Sequence, residues 1–195
     1  MPLTVRPAAA TWLTLALTAA LLSRVAVRGD AQNTCSATGQ MAGEKFTLTH
    51  CAASVSPEDR SVTIWFNETA ITDDEREGFQ LSAYASSLKD GAPRTMVLAA
   101  FCPGGGAATA SAAAVKKMDL GLNHAGSPMA GAQWVIEAPK EFEVRNIAGA
   151  VEPGGKLTGQ ITGQRSVDGR PYSWDFTFDL VLPTQGAASG ITCSP

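Results

Sequence analysis

The sequence predicts an all-β fold: an antiparallel β-sandwich or barrel of about eight to ten short strands, stapled by two disulfides. Apolar and polar residues alternate with a period of two in run after run, the signature of strands with one face buried and the other wet. Gly, Pro and Asp gather between those runs, where tight turns need them. Four cysteines, an even number, lie behind an export signal, and oxidised pairs are the rule for such chains.

The signal comes first along the chain. Arg6 is followed by an apolar run from residue 8 to residue 22, closed by Arg24. A run of that length suits the core of a signal peptide and falls short of the roughly 20 residues a membrane-spanning helix needs. Cleavage is expected after Gly29-Asp30-Ala31, so that residues 1–31 form the leader and residues 32–195 a single all-β domain, secreted or periplasmic, with no membrane span. Polar residues 32–34 before Cys35 argue against a lipidation signal, and Arg28-Gly29-Asp30 abuts the cut, so it is read as chance rather than as an adhesion motif. The 15 basic and 18 acidic residues give −3; losing Arg6, Arg24, Arg28 and Asp30 leaves 12 against 17, or −5. With no basic run beyond Lys116-Lys117, nucleic acid and anionic membranes are excluded as expected partners.

The strands follow in order. Phe46, Leu48 and His50 alternate with threonines, which directs His50 inward, and Val62, Ile64 and Phe66 alternate with Thr63, Trp65 and Asn67. Ser56-Pro57-Glu58-Asp59 supplies the turn between them. Thr72-Asp73-Asp74-Glu75 has the form of a capping box, but the alternation of residues 79–87 outweighs it and leaves room for one helical turn. Asp90-Gly91-Ala92-Pro93 turns the chain into residues 95–102, a strand apolar on both faces. Residues 107–118 are alanine-rich and offer the one stretch with helical character. Met118, Leu120 and Leu122, then residues 134–137, then 142–151 continue the strands. Residues 152–155 and 167–170 turn the chain into 156–163 and 172–182, so the last three strands form a meander. The final strand is the clearest: Tyr172, Trp174, Phe176, Phe178, Leu180 and Leu182 line one face.

Four cysteines allow three pairings. Tying both ends of the domain favours Cys35 with Cys193, which leaves Cys51 with Cys102 between two strands. Occupied in bridges, none is available as a thiol nucleophile, and their spacing does not suit zinc.

Few residues offer chemistry. Trp65 faces away from Ile64 and Phe66, so an open second face would present its indole for binding a sugar or protein. His124 lies near a loop and is the other binding candidate; with Met118 and Met129 it could form a soft copper(I) set, although methionine is also an ordinary core filler. No metal or other cofactor is otherwise implied. Gly104-Gly105-Gly106 lacks the Lys and Ser/Thr of a phosphate cradle and reads as a mobile loop. Hydrolase signatures are absent from the sequence. Asp175 and Asp179 share a strand face but stand roughly 13 Å apart, beyond the ~5–9.5 Å of a glycosidase pair; with Glu141, Glu143 and Asp73-Asp74-Glu75 they read as solvated acids. Asn67-Glu68-Thr69 is a glycosylation sequon, meaningful in a eukaryotic host.

These readings lead to an exported, non-enzymatic domain that binds a protein, glycan or apolar ligand, or acts as an inhibitor, through a loop end or an open sheet face. A secreted hydrolase whose residues come from separated strands is the second expectation, and a structural, envelope-associated domain the third.

Overall fold

The computed structural model describes residues 33–71, 88–89, 92–93, 95–123, 132–183 and 191–193. Its strands are β1 (Thr34–Met41), β2 (Glu44–Leu48), β3 (His50–Val55), β4 (Val62–Asn67), β5 (Leu88–Lys89), β6 (Ala92–Pro93), β7 (Met96–Phe101), β8 (Lys117–Asn123), β9 (Ala132–Glu137), β10 (Phe142–Gly149), β11 (Lys156–Val167) and β12 (Arg170–Val181). Two antiparallel five-stranded sheets result, β10-β11-β12-β1-β2 and β3-β4-β7-β8-β9, while β5 and β6 form a small ladder of their own. Within the two large sheets each strand lies beside its neighbour in sequence, and β12 returns to pair with β1. The order is that of an up-and-down barrel opened along two seams, between β2 and β3 and between β9 and β10.

The expected all-β architecture, with its terminal meander, is therefore what the chain adopts. The hairpin from β11 to β12 turns at Asp168 (φ 51°) and Gly169 (φ 74°), both left-handed as the tight hairpin turn demands. The inner face of β12 packs its rings across the sandwich: Phe176 stacks on Phe66 of β4 at 5.0 Å, and Phe178 lies 6.1 Å from Phe101 of β7. These rings need room beside them on their own sheet. Gly159 and Gly163 of β11, opposite Phe178 and Trp174, provide it; a Cβ on Gly159 would stand 2.8 Å from the Phe178 ring, and one on Gly163 would collide with the Trp174 indole. The space between the sheets is filled by Phe66, Phe101, Phe176, Met118, Leu120, Ile161 and other side chains almost wholly removed from water.

Three expectations are corrected, and one strand is added. Residues 46–50 are not one strand: the chain leaves the first sheet at Thr49, so β2 and β3 belong to different sheets, His50 is exposed, and Cys51 faces the core. Strand β1 lies upstream of every strand the alternation revealed. The alanine-rich stretch holds one 3-10 turn, Ala112–Ala114, before β8 begins. Finally, the bridges are Cys35–Cys51 and Cys102–Cys193.

The layering explains the pairing. Crossing at Thr49 brings β3 under β1, and the Cα atoms of Cys35 and Cys51 come within 6.3 Å, inside the disulfide range of roughly 4.4–6.8 Å. This bridge pins one sheet to the other. Cys193 is carried to the β3–β4 turn, where its N–H donates to Asp59 Oδ2 at 3.0 Å, and there it meets Cys102 at the end of β7. Separations of 16 and 91 residues correspond to about 3 and 4.6 kcal/mol in the chain-entropy treatment. Two bridges fit an oxidising, extracytoplasmic environment. Among the described residues, no helix is long and apolar enough to cross a membrane.

Candidate functional site

The two sheets differ on their outer faces. On the first sheet the outward positions meet water: Thr38, Asp175 and Thr177 are exposed, and Ser36, Gln160 and Thr162 are half-buried. On the second sheet, Ser54, Thr63, Trp65, Asn67, Ala100 and Asp119 point outward yet are all buried.

Trp65 has the strand phase its sequence neighbours predict, opposite to Ile64 and Phe66, but it is 3% exposed and packs with Ala52, Ile71, Met96 and Leu98. Its indole therefore presents no open aromatic surface. Around it the polar groups are sparsely satisfied. Ser54 Oγ, Thr63 Oγ1 and both amide atoms of Asn67 are buried without a hydrogen-bond partner, an expense of about 1–3 kcal/mol for each such group. Asn67, the sequon asparagine, is 0% exposed at the end of β4. Just beyond it the strand is locked: Glu68 donates its N–H to the Thr95 carbonyl at 3.2 Å, and Thr95 donates its N–H to Glu68 Oε2 at 3.1 Å.

His124 and Met129 lie outside the described residues. Met118 sits on the inward face of β8, buried between the sheets, so its thioether belongs to the core. Among the described residues, no three His, Cys, Asp or Glu side chains gather as a metal set. The glycine run forms successive turns, with Gly105 donating its N–H to the Cys102 carbonyl at 3.4 Å, and Arg60 Nη1 donating to the Gly106 carbonyl at 3.1 Å.

The acids have specific partners rather than water alone. Asp175 accepts from Gln160 Nε2 at 2.9 Å, Asp179 pairs with Lys156 at 3.0 Å, and Glu143 pairs with Arg145 at 2.6 Å. The hydrogen bond and charge of Arg145 hold the Glu143 carboxyl below its usual pKa, and Glu143 raises that of Arg145 in return. Asp59 is structural. It accepts the N–H groups of Ser61 (3.0 Å) and Cys193 (3.0 Å), tying the β3–β4 turn to the C-terminal segment. Partial burial works against its charge, but those two N–H groups and the hydroxyls of Ser56 and Ser61 keep its carboxyl below the usual value.

One cluster escaped the sequence reading. At the end of the sandwich beside the β9–β10 seam, Trp134 of β9 meets Tyr172 edge-on at 4.8 Å, and the Arg165 guanidinium lies 5.3 Å from the centre of the Trp134 ring. Glu141 fixes that guanidinium at 3.0 Å. The signal was faint because β11 runs on to Val167, past Gly163, so Arg165 faces Tyr172 across the hairpin instead of lying in a turn. No known protein family, curated protein or solved structure matches the chain.

Proposed function

We propose that the protein is an exported, non-enzymatic binding domain, secreted or periplasmic, which meets a glycan on the open outer face of the β10-β11-β12-β1-β2 sheet. The contrast between the outer faces carries this reading. In the centre of the open sheet, Thr38, Asp175 and Thr162 form one row across three strands, and Ser36, Thr177 and Gln160 form the next. Rows and strands repeat at about 7 and 4.8 Å, so hydroxyl, amide and carboxylate groups form a regular grid of donors and acceptors. Such a grid suits a hydroxylated partner read by hydrogen bonds more than an apolar one. An apolar ligand between the sheets is disfavoured by the side chains that fill that space.

The processed chain, residues 32–195, should bind immobilised glycans, and Thr177→Lys and Asp175→Ala, at outward positions, should abolish binding while leaving the melting temperature within a few degrees. Binding that survives both substitutions would overturn the assignment to this face. Turnover of ester, peptide or glycoside substrates that a single substitution abolishes would overturn the non-enzymatic reading.

A further inference from the structure

β9 ends the second sheet, with β8 on one side and the seam towards β10 on the other. Two hydrogen bonds set the phase of its backbone. Ala138 donates its N–H to the Lys116 carbonyl at 2.9 Å, continuing the ladder with β8, whereas Glu137 donates outward to Glu141 Oε2 at 3.1 Å and accepts from the Glu141 N–H at 3.0 Å. Even-numbered residues thus bond to β8, and odd-numbered residues direct their N–H and C=O groups to the seam. Glu141 caps Glu137. Among the described residues nothing pairs with the outward groups of Gln133 and Val135, which remain for another strand.

Val135 is also 59% exposed, the one exposed large apolar side chain among the described residues. Edge strands are normally guarded by charge, proline or a bulge. Across the seam, β10 is guarded in this way, with a register shift between Arg145 and Ala148 and the charged pair Glu143–Arg145. Edge strand β2 carries Glu44 and Lys45, and edge strand β3 is largely buried. Residues 133–136 of β9 contain no charge, no proline and no bulge.

We propose that the β9 edge is a self-association surface, on which a second copy of this chain adds its own β9, antiparallel, about a two-fold axis at Trp134. In that register Gln133 and Val135 of one copy lie opposite Val135 and Gln133 of the other, and both pairs exchange their N–H···O=C bonds. Self-complementarity favours a second copy over a foreign strand. The outward groups at positions 133 and 135 all find partners, capped Glu137 stays outside the ladder, and no like charges meet within it. Trp134, at the axis, is already held by Tyr172 and by Arg165, whose guanidinium Glu141 fixes, so little ordering is left for association to supply. The surface is small, and the dimer is a weak, reversible one.

Sedimentation of the processed chain from micromolar to millimolar concentration tests this. The weight-average mass should climb from the monomer towards the dimer, and Val135→Lys should hold it at the monomer. Val135→Pro should do the same, because it removes an N–H that β8 does not use. Thr47→Lys, on an exposed position of β2, should climb like the parent, and circular dichroism should show all three variants folded. A chain that stays monomeric throughout, or a dimer that persists in both Val135 variants, would overturn the proposal.

Discussion

Replacing Thr63 by Val removes one oxygen atom from the molecule and leaves its shape unchanged, so it isolates the cost of the unpartnered hydroxyl on the covered face of β4. Thr63 is 3% exposed, lies opposite Ser54 in the β3–β4 register, and its Oγ1, like Ser54 Oγ, is bonded to nothing. A buried hydroxyl without a partner costs about 1–3 kcal/mol, and valine in its place loses no hydrogen bond. At roughly 2–4 °C per kcal/mol for a chain of this length, Thr63→Val should raise the melting temperature by about 2–12 °C. Ser54→Ala should act in the same direction, offset in part by the small volume it removes. The two residues are direct cross-strand neighbours, so the double variant measures their coupling separately from the cost of each hydroxyl. Reversible thermal melts followed by circular dichroism, with both bridges intact, give all the values needed. A fall of several degrees in Thr63→Val would refute the reasoning, since that result requires the hydroxyl to be satisfied in solution.

Phe176→Ala removes a ring buried between the sheets and stacked on Phe66; a loss of about 3–5 kcal/mol is expected, and a melt within ~2 °C of the parent would contradict the inward assignment. The lowered carboxyl pKa of Asp59 means that its contribution is present above the unfolded-state value and lost as pH falls through the folded one. Stability measured by urea titration should therefore decline below about pH 4, and Asp59→Asn should flatten that part of the profile. Expression in a eukaryotic secretory host should yield folded protein with an unmodified sequon, because Asn67 is wholly enclosed; a glycan on Asn67 in folded material, seen by mass spectrometry, would show that face to be open.

Much of the fold was legible because β12 carries its bulk on its own inward positions. β1 was illegible for the opposite reason. Its inward residues include Ala37 and Gly39, the latter without a side chain where the Phe46 ring occupies the adjoining space, so no apolar alternation marks the strand. Gly159 and Gly163 likewise mask β11, which hid the approach of Arg165 to Trp134. In the sequence the alternation of β2 runs on past Thr49 into His50, but the chain changes sheets there, and only the layer arrangement shows that Cys51 turns inward. The cysteine pairing failed on the same point: which cysteines meet depends on which strands lie over one another, not on their positions at the chain ends. For Trp65 the phase was readable from its neighbours, whereas its burial depends on Ile71 and Met96, whose packing is tertiary.

The pairing of β1 with β12 sets Thr38 against Asp175, so one of the central joins of the first sheet unites segments from opposite ends of the polypeptide. Such a join is entropically slow to form, and synthesis must reach the last strand before it can form at all. A nascent or truncated molecule would therefore carry β1 without its companion. Its cysteine would still be able to reach Cys51 by a short loop, letting the amino-terminal corner be fastened while the remainder waits for the tail to arrive.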